Sequence, residues 1–278
     1  FISKYNIQKL PVLLVSGQID KLNLNGFTKQ SDILEFTQQN PPYYDLTSKE
    51  IKGLVKLTLI KDSSCKDCSN LDQLIQQFKT SGVFLSKEDV LDYKAASDLI
   101  TKYKIEKIPS LVLSKEASVY TIITSAWSNI GTVENDGSYV LRSTTPPYLD
   151  TKTKSVVGLV KLTYLTDKSC STCYDVTRHK TIVIGMGIKV ISEETIDISD
   201  SKGKDLIKLY NITGVPTIII SKDVSVYGDN FLKVWETVGT VEKDGTFIFR
   251  KPDIMGVYKD LTTNEIITPQ PSQQTSQP

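Results

Sequence analysis

Of histidine, methionine, tryptophan and cysteine the 278 residues contain one, two, two and four. His179 has no second imidazole to join it, so it reads as a surface histidine, not as part of a metal site. Long apolar runs are missing too: none approaches the roughly 20 residues of a membrane span. Charge of one sign is not in excess. Lys and Arg number 33 against 32 Asp and Glu, intermixed, for a net +1, which gives no reason to expect a nucleic-acid or anionic-membrane partner. No cysteine is spare, since all four lie in Cys65-Lys-Asp-Cys68 and Cys170-Ser-Thr-Cys173. That usage excludes a small disulfide-dense scaffold and fits redox pairs in either an oxidising or a reducing compartment. The first residue is Phe and no signal sequence precedes it, so a processed form or part of something longer is expected. The stretch Thr268 to Pro278, rich in Pro, Ser and Gln, reads as disordered or a linker. Such tails are common in exported proteins, hence an extracytoplasmic expectation.

What is present is repetition. Gly53-Leu-Val-Lys-Leu-Thr recurs as Gly158-Leu-Val-Lys-Leu-Thr, 105 residues on, and the two C-x-x-C pairs and the segments Pro41-Pro-Tyr-Tyr-Asp45 and Pro146-Pro-Tyr-Leu-Asp150 keep the same offset. Ile108-Pro109-Ser110 matches Val215-Pro216-Thr217 at 107, and the Trp127 to Gly137 segment matches Trp235 to Gly245 at 108. Leu10-Pro11 with Val12-Leu-Leu-Val15 is a third copy of the Pro-led strand, and Val257-Tyr-Lys-Asp260 a third copy of the Pro-Pro-Tyr-x-Asp opening. This divides the chain into a C-terminal half-module at 1–40, full modules at 41–145 and 146–256, and the start of a further module with the tail at 257–278. A 278-residue chain is long enough for two or more cores.

Within a module, Gly53 to Ile60 and Gly158 to Leu165 read as strands. Leu71, Leu74, Ile75 and Phe78 have helical spacing over Ser69 to Lys79; Tyr174 to Gly187 is less clear because Thr181-Ile-Val-Ile184 is β-branched. Ala95 to Tyr103 and Lys204 to Tyr210 read as second helices, ending before the proline loops. Asp136-Gly137 and Asp244-Gly245 between alternating apolar runs predict hairpins. Trp127 and Trp235 read as core anchors. Pro11 has no partner dithiol and reads as structural. Asn211-Ile-Thr213 is a glycosylation sequon taken as chance, since a glycan there would crowd the proline loop.

Strand, C-x-x-C, helix, strand, helix, then Val-Pro opening another strand resembles the thioredoxin superfamily, over 41–250 well and over 1–40 in part. The resemblance implies an α/β fold: tandem thioredoxin-like modules, each a mixed central sheet flanked by helices, with an added hairpin. It implies cis bonds before Pro109 and Pro216, facing the dithiols. It makes Cys65 and Cys170 the nucleophiles at a helix start, where dipole and backbone N–H groups favour a thiolate, with Cys68 and Cys173 resolving. Ile108 and Val215 would offer backbone groups to an extended substrate peptide, beside Pro109 and Pro216. The activity implied is thiol–disulfide exchange on protein substrates, similar to protein disulfide isomerases, without organic cofactor or metal.

Departures from the family keep alternatives open. Ser64 and Ser169 replace the usual aromatic and are placed to cap the helix. Leu59 and Tyr164 replace the buried acid of many relatives; Asp92 and Asp197 read as helix caps or as its substitutes. Lys168 near Cys170, with no charge inside that pair, makes Cys170 the more reactive thiol. The pairs read as redox dithiols, as structural disulfides, or as a four-cysteine zinc site. The second functional reading is non-enzymatic: an extracellular scaffold or filament subunit of repeated modules, meeting further copies of itself through the incomplete N-terminal module.

Overall fold

A computed structural model describes residues 1–269; the tail from Gln270 lies outside the described residues. The chain forms two compact units. The first comprises Phe1–Thr144 with Leu149–Lys154, the second Thr145–Tyr148 with the chain from Ser155. The expected break at 145/146 is therefore not a clean cut.

In the first unit the elements run β1 (Lys9–Leu10), β2 (Leu14–Ser16), β3 (Phe27–Gln30), β4 (Ile33–Phe36), β5 (Tyr43–Asp45), β6 (Glu50–Lys52), β7 (Val55–Lys61), α1 (Asp72–Thr80), β8 (Leu85–Asp92), α2 (Ser97–Tyr103), β9 (Lys107–Ile108), β10 (Ser110–Leu113), α3 (Thr121–Ala126), β11 (Gly131–Val133), β12 (Tyr139–Leu141) and β13 (Tyr148–Asp150). Its main sheet has the order β8-β7-β10-β12-β11, with β7 and β8 parallel and the other pairs antiparallel. The half-module forms a separate sheet, β2-β4-β3.

The second unit repeats the plan: β14 (Ser155–Val157), β15 (Val160–Thr166), α4 (Arg178–Gly185), β16 (Val190–Asp197), α5 (Ser201–Tyr210), β17 (Gly214–Val215), β18 (Thr217–Ile220), α6 (Asp229–Val238), β19 (Gly239–Val241), β20 (Phe247–Phe249), β21 (Tyr258–Asp260) and β22 (Glu265–Ile267). Its sheet order is β16-β15-β18-β20-β19. A parallel strand–helix–strand crossover followed by antiparallel strands is thioredoxin-like, and the hairpin edge is the added part.

Period-two patterning drives each central strand inside. Val55, Leu57 and Leu59 point from β7 into one cluster with Ile75 and Phe78 of α1 and with Trp127. Val160, Leu162 and Tyr164 do the same from β15, against Val183, Phe231 and Trp235. Helix α3 is not legible from propensity, because 121–126 is Thr- and Ile-rich, whereas α6 carries Phe231, Leu232, Trp235 and Val238 at helical spacing. They form because Ile123 and Trp127, like Phe231 and Trp235, stand four residues apart and reach the core together. α4 is helical despite its β-branched run for the same reason. Val183 turns inward while Ile182 and Ile184 stay exposed.

Each tryptophan fixes the hairpin that follows. The Nε1–H groups of Trp127 and Trp235 donate to the carbonyls of Thr132 and Thr240 at 3.0 and 3.1 Å. The indoles lie so close over Gly131 and Gly239 that a Cβ at either would come within 2.6 Å of a ring atom. Gly131→Ala and Gly239→Ala should therefore each destabilise by about 1–3 kcal/mol through overpacking, read as a lowered urea midpoint for the unit that carries the change.

Candidate functional site

The two disulfide loops hang from the C-terminal ends of the central strands. Cys65 bonds Cys68, and Cys170 bonds Cys173, with Cα separations of 5.5 and 5.4 Å. The turn before each pair is built by an aspartate. Asp62 accepts from the Ser64 amide and hydroxyl at 2.9 and 2.6 Å, and its carbonyl takes the Cys65 amide. Asp167, Ser169 and Cys170 repeat this. Ser64 and Ser169 thus do not cap a helix; they close a turn. α1 starts only at Asp72 and α4 only at Arg178, so neither first cysteine lies in a first helical turn and the dipole argument for a stabilised thiolate falls away.

Asp92 and Asp197, ending the second strands, cap no helix either. Asp92 accepts from the Ser63 hydroxyl at 2.6 Å and the Ser63 amide at 3.1 Å, and Asp197 accepts from the Lys168 amide at 2.6 Å. Each therefore ties its dithiol loop to the neighbouring strand. The Ser63 hydroxyl, then the Lys94 and Ser63 amides, hold the Asp92 carboxyl below its usual range. Burial works against ionisation of Asp197, but the Ser199 hydroxyl and the Lys168 and Ser199 amides outweigh it. Both stay carboxylates at neutral pH, which removes them as proton donors. At the positions of the usual acid, Leu59 lines the first disulfide's cavity, and Tyr164 donates to Glu193 at 2.8 Å.

The first pair is the open one. A cavity of about 250 Å³ is lined by Leu59, Cys65, Cys68, Ser69 and Pro109 among others, and the Ile108–Pro109 bond is cis. Ser69 Oγ is buried and has no hydrogen-bond partner among the described residues. Its repeat counterpart is Tyr174, whose hydroxyl donates to the Pro216 carbonyl at 2.6 Å and accepts from His179 Nε2 at 3.1 Å. The Val215–Pro216 bond is also cis, and Tyr174, the residue after Cys173, ties the Pro216 carbonyl to the end of the disulfide loop.

The second pair is the closed one. Cys170 is 8 % exposed, and Lys259 bonds Asp167 at 2.8 Å with both side chains largely buried. Accessibility therefore runs opposite to the expectation that Cys170 is the more reactive thiol, because Asp167 already holds a cation and the sulfur is covered. His179 is not on the surface. It is 4 % exposed on the inner face of α4, with its ring 4.6 Å from that of Phe249.

The edges expected to receive a substrate strand are occupied. Ile108 of β9 pairs with Leu149 of β13, and Val215 of β17 with Lys259 of β21, both antiparallel. Leu10 of β1 pairs with Tyr44 of β5 in the same way. An aspartate one residue later, Asp45, Asp150 or Asp260, caps the turn that follows by accepting two backbone amides. The Pro-Pro-Tyr-x-Asp segments repeat in step with the dithiols, and that recurrence was the signal for the pairing. Ile108 and Val215 consequently have their backbone groups engaged within their own units, so the expectation that they bind an extended substrate is corrected.

No family model matches the sequence, and no curated protein matches it. Among solved structures, a mutant of the alkylhydroperoxide reductase AhpF from Enterococcus faecalis is 21 % identical over 60 % of this chain and 81 % of that chain, with a TM-score of 0.19. The N/C domain of the N-terminal part of the same reductase is 17 % identical over 61 % and 84 %, with a TM-score of 0.18. Scores of that size are not those of chains that superpose as wholes, so the fold stands on the strand order and connections above.

Burial, reinforced by Arg178, pulls His179 from its ordinary 6.5 down to about 4. A buried neutral histidine contributes stability that is complete above the unfolded-state value and is lost as pH falls toward the folded value. The second unit should therefore lose on the order of 3 kcal/mol between pH 6.5 and pH 4. Urea midpoints measured across that range should fall for the native chain and flatten for His179→Gln.

Proposed function

We propose that the chain is a thiol–disulfide oxidoreductase of the protein disulfide isomerase kind, working at Cys65 and Cys68. The observation that carries this is the cavity shared by that disulfide and Pro109 at the end of β7. In the reduced protein the Cys65 thiolate attacks one sulfur of a substrate disulfide and expels the other as a thiolate. Cys68 then attacks Cys65 Sγ, forming the Cys65–Cys68 disulfide and releasing the substrate as a dithiol. Two electrons pass to the substrate, and a thiol donor returns the protein to its reduced form. The Ser69 hydroxyl, buried without a partner while the disulfide is closed, donates to the Cys68 thiolate once it forms and offsets the missing acid.

The substrates are proteins bearing thiols or disulfides. With the edge at Ile108 occupied by Leu149, they present sulfur on a loop and do not add a strand. Four cysteines held in two disulfides suit an oxidising, extracytoplasmic compartment. Cys170–Cys173, covered and latched by Lys259 to Asp167, serves as a structural crosslink. A second reading, a non-enzymatic scaffold of repeated modules, is favoured by the same filled edges.

Reduction of a disulfide-bonded protein by the dithiol-reduced chain separates these readings. Cys65→Ser should lower the rate by at least ~100-fold, while Cys170→Ser should leave most of it. No Cys65-dependent activity would favour the scaffold. Ser69→Ala should slow release of the mixed disulfide, with recovery in Ser69→Thr; single-turnover kinetics of substrate release read this out.

A further inference from the structure

The turn that leads to each repeat proline occurs three times, as Asn6-Ile-Gln8, Lys104-Ile-Glu106 and Asn211-Ile-Thr213. In each copy the first residue is left-handed, with φ of 49, 50 and 49°. The isoleucine is buried, and the residues on either side of it are exposed. One backbone thus presents three different pairs of side chains to solvent. Only the third pair spells the acceptor sequence for N-linked sugar, and no other Asn-x-Ser or Asn-x-Thr occurs in the chain.

The first two copies spend these side chains on their own fold. Asn6 Oδ1 accepts from Gln8 Nε2 at 2.8 Å, and Gln8 Oε1 accepts from the Thr47 hydroxyl at 3.0 Å. Glu106 takes Lys152 at 2.6 Å. Thr47 and Lys152 each stand two residues after the aspartate of a Tyr-x-Asp hairpin. Their counterpart Thr262 turns its hydroxyl back onto Asp260 at 2.6 Å, which leaves Thr213 alone. Asn211 and Thr213 are held by backbone carbonyls only, which accept from Arg250 at 3.0 Å and from the Leu261 amide at 2.8 Å. Among the described residues neither side chain forms a hydrogen bond. A left-handed backbone accounts for an asparagine by itself. It does not account for the threonine two residues on, or for both side chains standing open together.

A glycan at this turn obstructs nothing that must stay open. Gly214 and Val215 are already paired with Asp260 and Lys259, and Cys170 of the same unit is covered. The expectation that the sequon is chance, because sugar would crowd the proline loop, therefore loses its reason. The unit with the open disulfide carries Lys104 and Glu106 at these positions and has no acceptor there.

We propose that Asn211 carries an N-linked glycan, an inference that rests on the extracytoplasmic compartment argued above. In the transfer, the Asn211 amide nitrogen attacks the anomeric carbon of an oligosaccharide linked to a lipid pyrophosphate. A nitrogen–carbon bond forms and the carbon–oxygen bond to pyrophosphate breaks. The lipid pyrophosphate leaves with that electron pair, and the amide gives up one proton. The second unit then presents a sugar-covered face, while the first keeps its cavity beside Cys65 bare.

The full chain, secreted from a eukaryotic cell behind a cleavable leader, tests the site. Peptide N-glycosidase should remove added mass and leave aspartate at position 211 in the peptide that carries it. Asn211→Gln and Thr213→Ala should abolish the modification and Thr213→Ser should retain it, each with an unchanged far-UV spectrum. An unmodified Asn211 in secreted chain whose four cysteines are oxidised would overturn the site and leave the compartment standing. Free thiols at all four cysteines in chain taken from its own source would overturn the compartment, and the glycan with it.

Discussion

Backbone pairing on the two residues before each repeat proline organises this protein. Lys9–Leu10, Lys107–Ile108 and Gly214–Val215 would otherwise be edge strands with unmet N–H and C=O groups, in segments whose side chains Ile108 and Val215 are fully buried. Each instead takes a short antiparallel strand from the Tyr-x-Asp segment that follows in sequence. One further bond extends each pair: the amides of Leu46, Thr151 and Leu261 donate to the carbonyls of Gln8, Glu106 and Thr213. The Asp side chain then closes the turn, so the strand is held at its end as well as along its length. Unsatisfied buried backbone groups are costly, and this hairpin removes that cost three times by one device.

The device sets access to the dithiols. The edge is spent on the chain's own hairpin, while the Cys65–Cys68 disulfide lines a cavity that it shares with Pro109. The device also carries the difference between the two centres. The strand residue opposite Ile108 is Leu149, buried and uncharged, whereas the one opposite Val215 is Lys259, which reaches Asp167 in the turn before Cys170. One difference within a repeated backbone pairing thus converts an apolar contact into an ionic latch over the second disulfide. The residue after each pair diverges in parallel: Ser69 leaves an open hollow, while Tyr174 fills its site and bonds the Pro216 carbonyl. The Pro109 carbonyl is met instead from the far side, by the Thr144 hydroxyl at 2.8 Å.

Much of this was legible in the chain because repetition makes spacing visible. The central strands at Gly53 and Gly158, the Asp-Gly hairpins and the buried tryptophans follow from period and turn chemistry that act within a few residues. Elements whose reasons are distant were not legible. Helix α3 runs against local propensity and exists to bring Ile123 with Trp127 onto the sheet. The late start of α1 and α4 reflects aspartates, Asp92 and Asp197, that are brought to the dithiol turns from the ends of β8 and β16. His179 read as a surface residue because nothing near it in sequence marks it. It is buried between Tyr174, five residues before it, and Phe249, seventy residues on.

The amino-acid sequence alone determined the repeated module and the strands that alternate apolar with polar. These are decided by interactions short enough to be written in spacing. Tertiary structure alone decided which unit each Tyr-x-Asp hairpin completes, which disulfide is open, and whether a lysine at position 259 or a histidine at 179 meets solvent or a partner. Those outcomes depend on backbone edges and charges brought together across tens of residues, where the winning partner is the one the fold leaves nearest.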